Sequence, residues 1–197
     1  MSALSAADVN KWLIPIRKVD GVPDVRLIVF HWVGGNGFVY RPWKRYLPEN
    51  IEIYSMMMPG RLSRRNDKFV ESVGEAVSKL VLCMQALGFT GDNQPPTIFF
   101  GHSYGGIIAY ELALQLQKCH LLNVAHLVVS STNCPTVLTK RSQSNDDSFY
   151  KKFYMVNHVY NTNCAVENEK NYKLLSSNNC VCAFCFISVS SQILIWN

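Results

Sequence analysis

Charge is sparse in this 197-residue chain, at 17% of residues, and no block of one sign interrupts it. Nineteen Lys and Arg against fourteen Asp and Glu leave a net +5 spread along the sequence, so a basic face for nucleic acid is not expected. The first 21 residues lack an apolar core of signal-peptide length, because Asp8, Lys11, Arg17, Lys18 and Asp20 break them up. Secretion is therefore not expected, and the cytoplasm is the default compartment. A regular, even cysteine framework is missing as well: there are seven cysteines, and four of them (Cys164, Cys180, Cys182 and Cys185) crowd into the last 34 residues. That pattern points to reduced thiols and excludes a disulfide scaffold. Cys180-Val-Cys-Ala-Phe-Cys185 offers three thiols without a fourth ligand at sensible spacing, which falls short of a zinc site, and no metal or cofactor is expected.

What the chain has is apolar residues. At 48% they can bury a core, which a disordered chain could not, and the length suits one domain. Val25–Phe30, Ile51–Met57, Thr97–Phe100 and Leu127–Ser130 are short apolar runs bounded by Gly, Pro or Asn, the pattern of buried strands. Between the second and third, Val73, Val77, Leu80, Met84 and Leu87 repeat at helical spacing and stop at Gly88. Ile108, Leu112 and Leu116 mark a second helix before the fourth strand. This alternation predicts an α/β fold, a parallel sheet flanked by helices, over residues 1–140.

The strongest chemical signal is Gly101-His-Ser-Tyr-Gly105, directly after one strand and directly before a helix. A serine on so sharp a turn is pushed outward, and the two glycines are needed because side chains there would collide with neighbouring backbone. The helix N-terminus behind it favours negative charge, which makes Ser103 a candidate nucleophile and the Tyr104 N–H a candidate oxyanion donor. Taken alone, the motif also fits a plain tight turn. A second glycine loop, His31-Trp-Val-Gly-Gly-Asn-Gly37, follows the first strand, where an oxyanion hole of this architecture draws its other N–H; Val33 is the candidate.

Three motifs in order, Phe30-His-Trp-Val-Gly-Gly35, Pro59-Gly-Arg-Leu-Ser-Arg64 and Phe100-Gly-His-Ser-Tyr-Gly-Gly-Ile-Ile-Ala-Tyr-Glu-Leu-Ala113, resemble the type II thioesterase family. Its vertebrate form is the medium-chain S-acyl fatty acid synthase thioesterase, or oleoyl-ACP hydrolase, and its bacterial relatives serve polyketide and nonribosomal peptide synthases. The likeness covers about residues 25–135 and more faintly 146–175. It implies an α/β-hydrolase fold and a serine thioesterase that frees fatty acid from an acyl carrier protein or fatty acid synthase, with Ser103 as nucleophile and Val33 and Tyr104 as backbone donors. His31 departs from the proline common at its place. Arg61 and Arg64 match the Pro-Gly-Arg motif; they could meet a carrier's phosphopantetheine phosphate, although a role in tying loops together is the favoured reading. His102 shares the sharp turn with Ser103 but points elsewhere, so it reads as packing and not as the base.

Triad partners are what the sequence fails to supply. In this fold class the order is Ser, Asp, His on later strands. His120 ends the elbow helix and His126 begins the next strand at the wrong end of the sheet, so both read as structural. His158 with Asp146 or Asp147 keeps the order, but no strand precedes them. From Lys170 to Asn197 there is no Asp, Glu or His at all, so the expectation is a chain whose acid and base are absent through C-terminal truncation. Segment 141–175, Asn-rich with helical candidates at Phe149–Tyr160 and Val166–Leu175, is expected to be a lid, and 176–197 an atypical uncharged tail. Cys180–Trp196 carries no charge but is short and Ser-rich for a membrane span, which takes about 20 residues, so a membrane partner is not expected. Loss of the later strands would leave the last parallel strand with an open edge. The alternatives are a truncated, non-catalytic isoform that binds acyl chains or carriers, and an oxyester-cleaving esterase of the same fold, which the Pro59–Arg64 motif disfavours.

Overall fold

The computed structural model describes residues 6–122, 124–132 and 184–188. The expected lid, together with Asp146, Asp147, His158, Cys180 and Cys182, lies outside the described residues. Within them the chain runs α1 (Ala6–Trp12), β1 (Leu13–Arg17), β2 (Val25–Phe30), a 3-10 segment (Gly37–Arg45), β3 (Ile51–Met56), a short 3-10 turn (Leu62–Arg64), α2 (Val73–Ala86), β4 (Thr97–His102), α3 (Tyr104–Lys118), β5 (His126–Ser130) and β6 (Phe184–Ser188).

The sheet order is β1-β3-β2-β4-β5-β6. The four strands expected from sequence form its parallel centre, β3-β2-β4-β5, whose shared apolar character reflects burial on both faces. The expected parallel sheet is extended at both edges by an antiparallel strand. β1 pairs antiparallel with β3, with an irregularity between Pro15 and Arg17. Proline lacks the N–H a central ladder needs, so an edge is where a strand containing Pro15 can sit. At the other side β6 pairs antiparallel with β5, Val128 opposite Phe186. The predicted open edge on β5 is therefore filled, by a stretch of the uncharged segment.

Strand alternation divides the apolar side chains into two layers. Ile28, Phe30, Met56, Phe99, Leu127 and Val129 face α1, α2 and α3 in the main core. Leu27, Val29, Ile98 and Phe100 point to the opposite face, where Tyr40 and Trp43 of the 3-10 segment cover them.

Both long helices carry their own boundaries. Ser72 caps α2 by accepting from Glu75 N–H at 3.1 Å. At its end Gly88 (φ +69°) is left-handed, with Gly88 N–H to Gln85 O at 3.0 Å and Phe89 N–H to Met84 O at 2.8 Å, a Schellman closure. α3 closes in the same way, with His120 N–H to Gln117 O at 3.0 Å and Leu121 N–H to Leu116 O at 2.9 Å. Here the left-handed residue is His120 (φ +54°), a strained choice for a side-chain-bearing residue. His120 is thus a helix terminator and His126 opens β5 at the end of the sheet remote from the elbow, in line with the structural reading of both.

Candidate active site

Parallel strands of an open α/β sheet present their ligands at the carboxyl edge. Here the ends of β2, β3, β4 and β5 bring together the His31–Gly37 loop, the Met57–Arg65 segment, the elbow at Ser103 and Ser131.

Ser103 adopts φ +53°, ψ −121°, a backbone state that a non-glycine residue occupies only where its surroundings force it. Its side chain is half-exposed. The turn is held by Ser103 N–H donating to Ser130 O at 2.8 Å and Gly106 N–H donating to Ser103 O at 2.9 Å. A Cβ at Gly101 would lie 2.5 Å from Gly106 Cα, and one at Gly105 would lie 2.6 Å from the Phe30 carbonyl carbon and 2.8 Å from His31 O. All of these are backbone atoms that cannot swing away. Gly105 therefore does more than permit a turn: it lets the first turn of α3 press against the end of β2, where the second glycine loop begins.

In that loop Gly35 N–H donates to Trp32 O at 3.0 Å, and Gly34 (φ +82°) supplies the left-handed third residue that a type II turn requires. Trp32 and Val33 stand on its exposed crest. Val33, Tyr104, Trp32, Met58, Arg61 and Phe69 border one cavity of about 290 Å³. The sequence candidates Val33 and Tyr104 thus come from separate stretches of chain to the same cavity, Tyr104 being the residue that follows Ser103.

Of the four described histidines, His120 and His126 lie away from the elbow, and His31 and His102 are engaged elsewhere. His31 is buried at 2% exposure, with Nδ1 donating to Trp32 O at 2.8 Å and Nε2 accepting from Met58 N–H at 3.4 Å. Burial pushes its pKa down to about 4 against the pull of the Trp32 carbonyl, and the Arg61 charge lowers it further, so the ring is neutral. His102 pairs through Nδ1 with Ser130 Oγ at 3.1 Å and meets the Trp32 ring edge at 5.5 Å. Its burial also lowers its pKa. Among the described residues no hydrogen bond reaches Ser103 Oγ, and no group of His, Cys, Asp and Glu could hold a metal.

The two arginines of the Pro-Gly-Arg segment act as ties. Arg64, 6% exposed, binds Asp67 at 2.7 Å, Met57 O at 2.7 Å and Lys11 O at 3.3 Å, and lies over Trp12. Arg61 donates from Nε to Gly35 O and from Nη1 to Gly60 O, both at 3.1 Å. Sequence reasoning missed the polar links through His31 and Ser130, because each joins residues on different strands and neither leaves a local pattern.

The thioesterase domain family profile matches residues 25–176. The chain belongs to the thioesterase domain family. It is 28% identical over 138 residues to the gramicidin S biosynthesis protein GrsT of Aneurinibacillus migulanus, covering 66% of this chain and 49% of that protein. It is 31% identical over 106 residues to the medium-chain S-acyl fatty acid synthase thioesterase of Homo sapiens, covering 54% and 38%. Among solved structures, the type II thioesterase BorB of the borrelidin biosynthetic cluster superposes with a TM-score of 0.51 at 26% identity, over 62% of this chain and 47% of that one. The chain thus spans about half the length of such relatives or less. The fold is of the α/β-hydrolase type, and among the described residues no helix is long and apolar enough to cross a membrane.

Proposed function

We propose that this thioesterase-family chain carries Ser103 as the nucleophile of a serine hydrolase acting on acyl thioesters held by a carrier protein, the chemistry of fatty acid synthesis and its relatives. Ser103 Oγ attacks the thioester carbonyl, and the negative oxygen so formed is held by the N–H groups of Val33 and Tyr104. The C–S bond breaks, the pantetheine sulfur leaves as the thiol with the proton that Ser103 Oγ gave up, and water then adds to the acyl-serine, releasing the free acid and returning a proton to Oγ. The observation that carries this reading is the strained, half-exposed backbone of Ser103 between two glycines that admit no side chain. Strain of this kind is kept where the surroundings impose it, and it clusters at reacting groups.

A second reading, an acyl- or carrier-binding protein without turnover, is favoured by one observation. A serine needs a base, yet the four described histidines are either bonded elsewhere or at the far end of the sheet. Within these 197 residues the fifth histidine is His158, which lies outside the described residues. Turnover of a decanoyl thioester on acyl carrier protein by the purified chain separates the two. Hydrolysis that Ser103→Ala abolishes supports the enzyme, with a loss of roughly 10⁶ in kcat expected from a comparable serine hydrolase. Hydrolysis that also vanishes in His158→Ala assigns the base. Carrier binding with no hydrolysis by the wild-type chain would overturn the enzymatic reading for this chain.

A further inference from the structure

The loop that bears Val33 is a poor candidate for self-supporting rigidity. It contains Gly34, Gly35 and Gly37 within seven residues, and Trp32, Val33 and Gly34 are exposed, so packing, with the Trp32 ring against His102 and Tyr40, covers it only in part. Polar links and close backbone contacts hold the rest. On the β4 side, Gly105 lets the backbone of α3 lie against Phe30 and His31. On the β3 side, His31 spends both ring nitrogens on backbone, at Trp32 O and Met58 N–H, and Arg61 reaches back to Gly35 O. Tyr40 adds a third fixed point where the loop leaves β2, donating its hydroxyl to Phe30 O at 3.1 Å.

His31 is among the most buried polar side chains described, and neither of its nitrogens is directed to Ser103. A buried imidazole must satisfy both nitrogens or lose stability, and here each is spent on a different loop. Arg61 stands at the edge of the cavity with its planar fork spanning Gly35 O and Gly60 O. Gly60 itself (φ +77°) is pressed so close to the Phe69 ring that a Cβ there would overlap it. The glycine loop is thus strapped to the Met58–Arg61 segment at its first residue and at its fifth.

We propose that His31 and Arg61 are positioning residues, which strap the His31–Gly37 loop to the Met58–Arg61 segment and so fix the Val33 N–H in place for the oxyanion formed at Ser103. This deepens the reading of Ser103 and Val33 given above and rests on it. In this role they act through the loop and set where a donor stands, and a misplacement of about 1 Å at a reacting centre costs on the order of 100-fold in rate.

The test uses the whole chain and the second-order rate of Ser103 labelling by a fluorophosphonate, whose tetrahedral phosphorus requires the same donors. His31→Leu and Arg61→Met should slow labelling roughly 10-fold to 100-fold. Because both side chains also border the cavity, affinity for a non-hydrolysable decanoyl pantetheine thioether is measured beside the rate, and the fall in labelling should exceed any fall in affinity. His31→Gln, whose amide can accept from Met58 N–H and donate to Trp32 O, should recover most of the rate. A purely structural role would instead move the melting temperature and leave the rate of the folded fraction alone. Should His31→Leu fail to fold, His31→Gln and Arg61→Met, read against Arg61→Lys, carry the same comparison. Labelling at the wild-type rate in folded His31→Leu and Arg61→Met, with Ser103→Ala silent, overturns the positioning role alone. Labelling of Ser103→Ala at the wild-type rate overturns the reading of Ser103 and this inference with it.

Discussion

The two ends of the parallel sheet solve opposite problems. At the amino end Arg26 on β2 is held by three contacts: its Nε donates to Glu52 at 2.8 Å, its Nη1 donates to Gln94 at 3.1 Å, and its guanidinium lies 3.6 Å over the Phe89 ring. Glu52 and Tyr54 complete the cluster, and burial together with the Glu52 charge pushes the Tyr54 hydroxyl up to about 12. The left-handed non-glycine residues on this side, Asn93 and His120, lie in the turn before β4 and at the end of α3. At the carboxyl end Ser103 and Ser131 are left-handed, glycines meet backbone too closely for any Cβ, and the crest of the glycine loop is exposed. Paired polar groups hold one end together; at the other the strained residue is the candidate nucleophile itself. The lesson is that a substitution at the amino end should cost stability and leave the labelling rate of the folded fraction alone, whereas one at the carboxyl end should disturb the site as well.

Mutations can break that comparison. Gly105→Ala should cause the largest loss, because the new methyl meets the Phe30 and His31 backbone. We expect at least about 3 kcal/mol of destabilisation by overpacking, read by urea unfolding, with little folded protein left to label. At the amino end Glu52→Ala leaves Arg26 buried without its partner. It should cost about 3–5 kcal/mol, while fluorophosphonate labelling of the folded fraction keeps the wild-type rate. Equal effects on labelling from both ends would contradict that difference.

A pH titration sharpens it further. The pKa of His31 in the folded chain is about 4, below its ordinary 6.5, so between these values the unfolded chain binds more protons. The contribution is complete above about pH 6.5 and is lost as pH falls towards 4, amounting to roughly 3 kcal/mol. Arg61 is the charged group beside the ring, and it acts in the same direction as burial. Unfolding free energies at pH 7 and pH 4.5 should therefore differ less in His31→Gln than in the wild type. The smallest effect belongs to His120→Gly, which removes a side chain from a left-handed helix end. It should raise stability by roughly 0.5–1 kcal/mol and leave labelling unchanged.

How far the sequence could be read follows the same division. β2 to β5 were legible because strands buried on both faces must be apolar, and the end of α2 was legible because Gly88 marks it. β1 was not, since Pro15 and Arg17 disguise an edge strand. β6 was not either, because its pairing with β5 spans a long sequence separation and an uncharged segment reads equally as a tail. At the site the glycines and Ser103 form a local pattern, so the elbow could be found. The His31, Arg61 and Ser130 links depend on which strands lie side by side, which no local spacing encodes. The imidazole that would serve Ser103 could not be chosen from order alone, and the structure narrows the choice by showing four of the five histidines occupied or remote.

The most direct test of the account is mass mapping of the purified wild-type chain after reaction with a fluorophosphonate. The account predicts one adduct, on the peptide bearing Ser103, which is absent from Ser103→Ala and retained in Glu52→Ala. An adduct on any other serine, or equal labelling of Ser103→Ala, would contradict it.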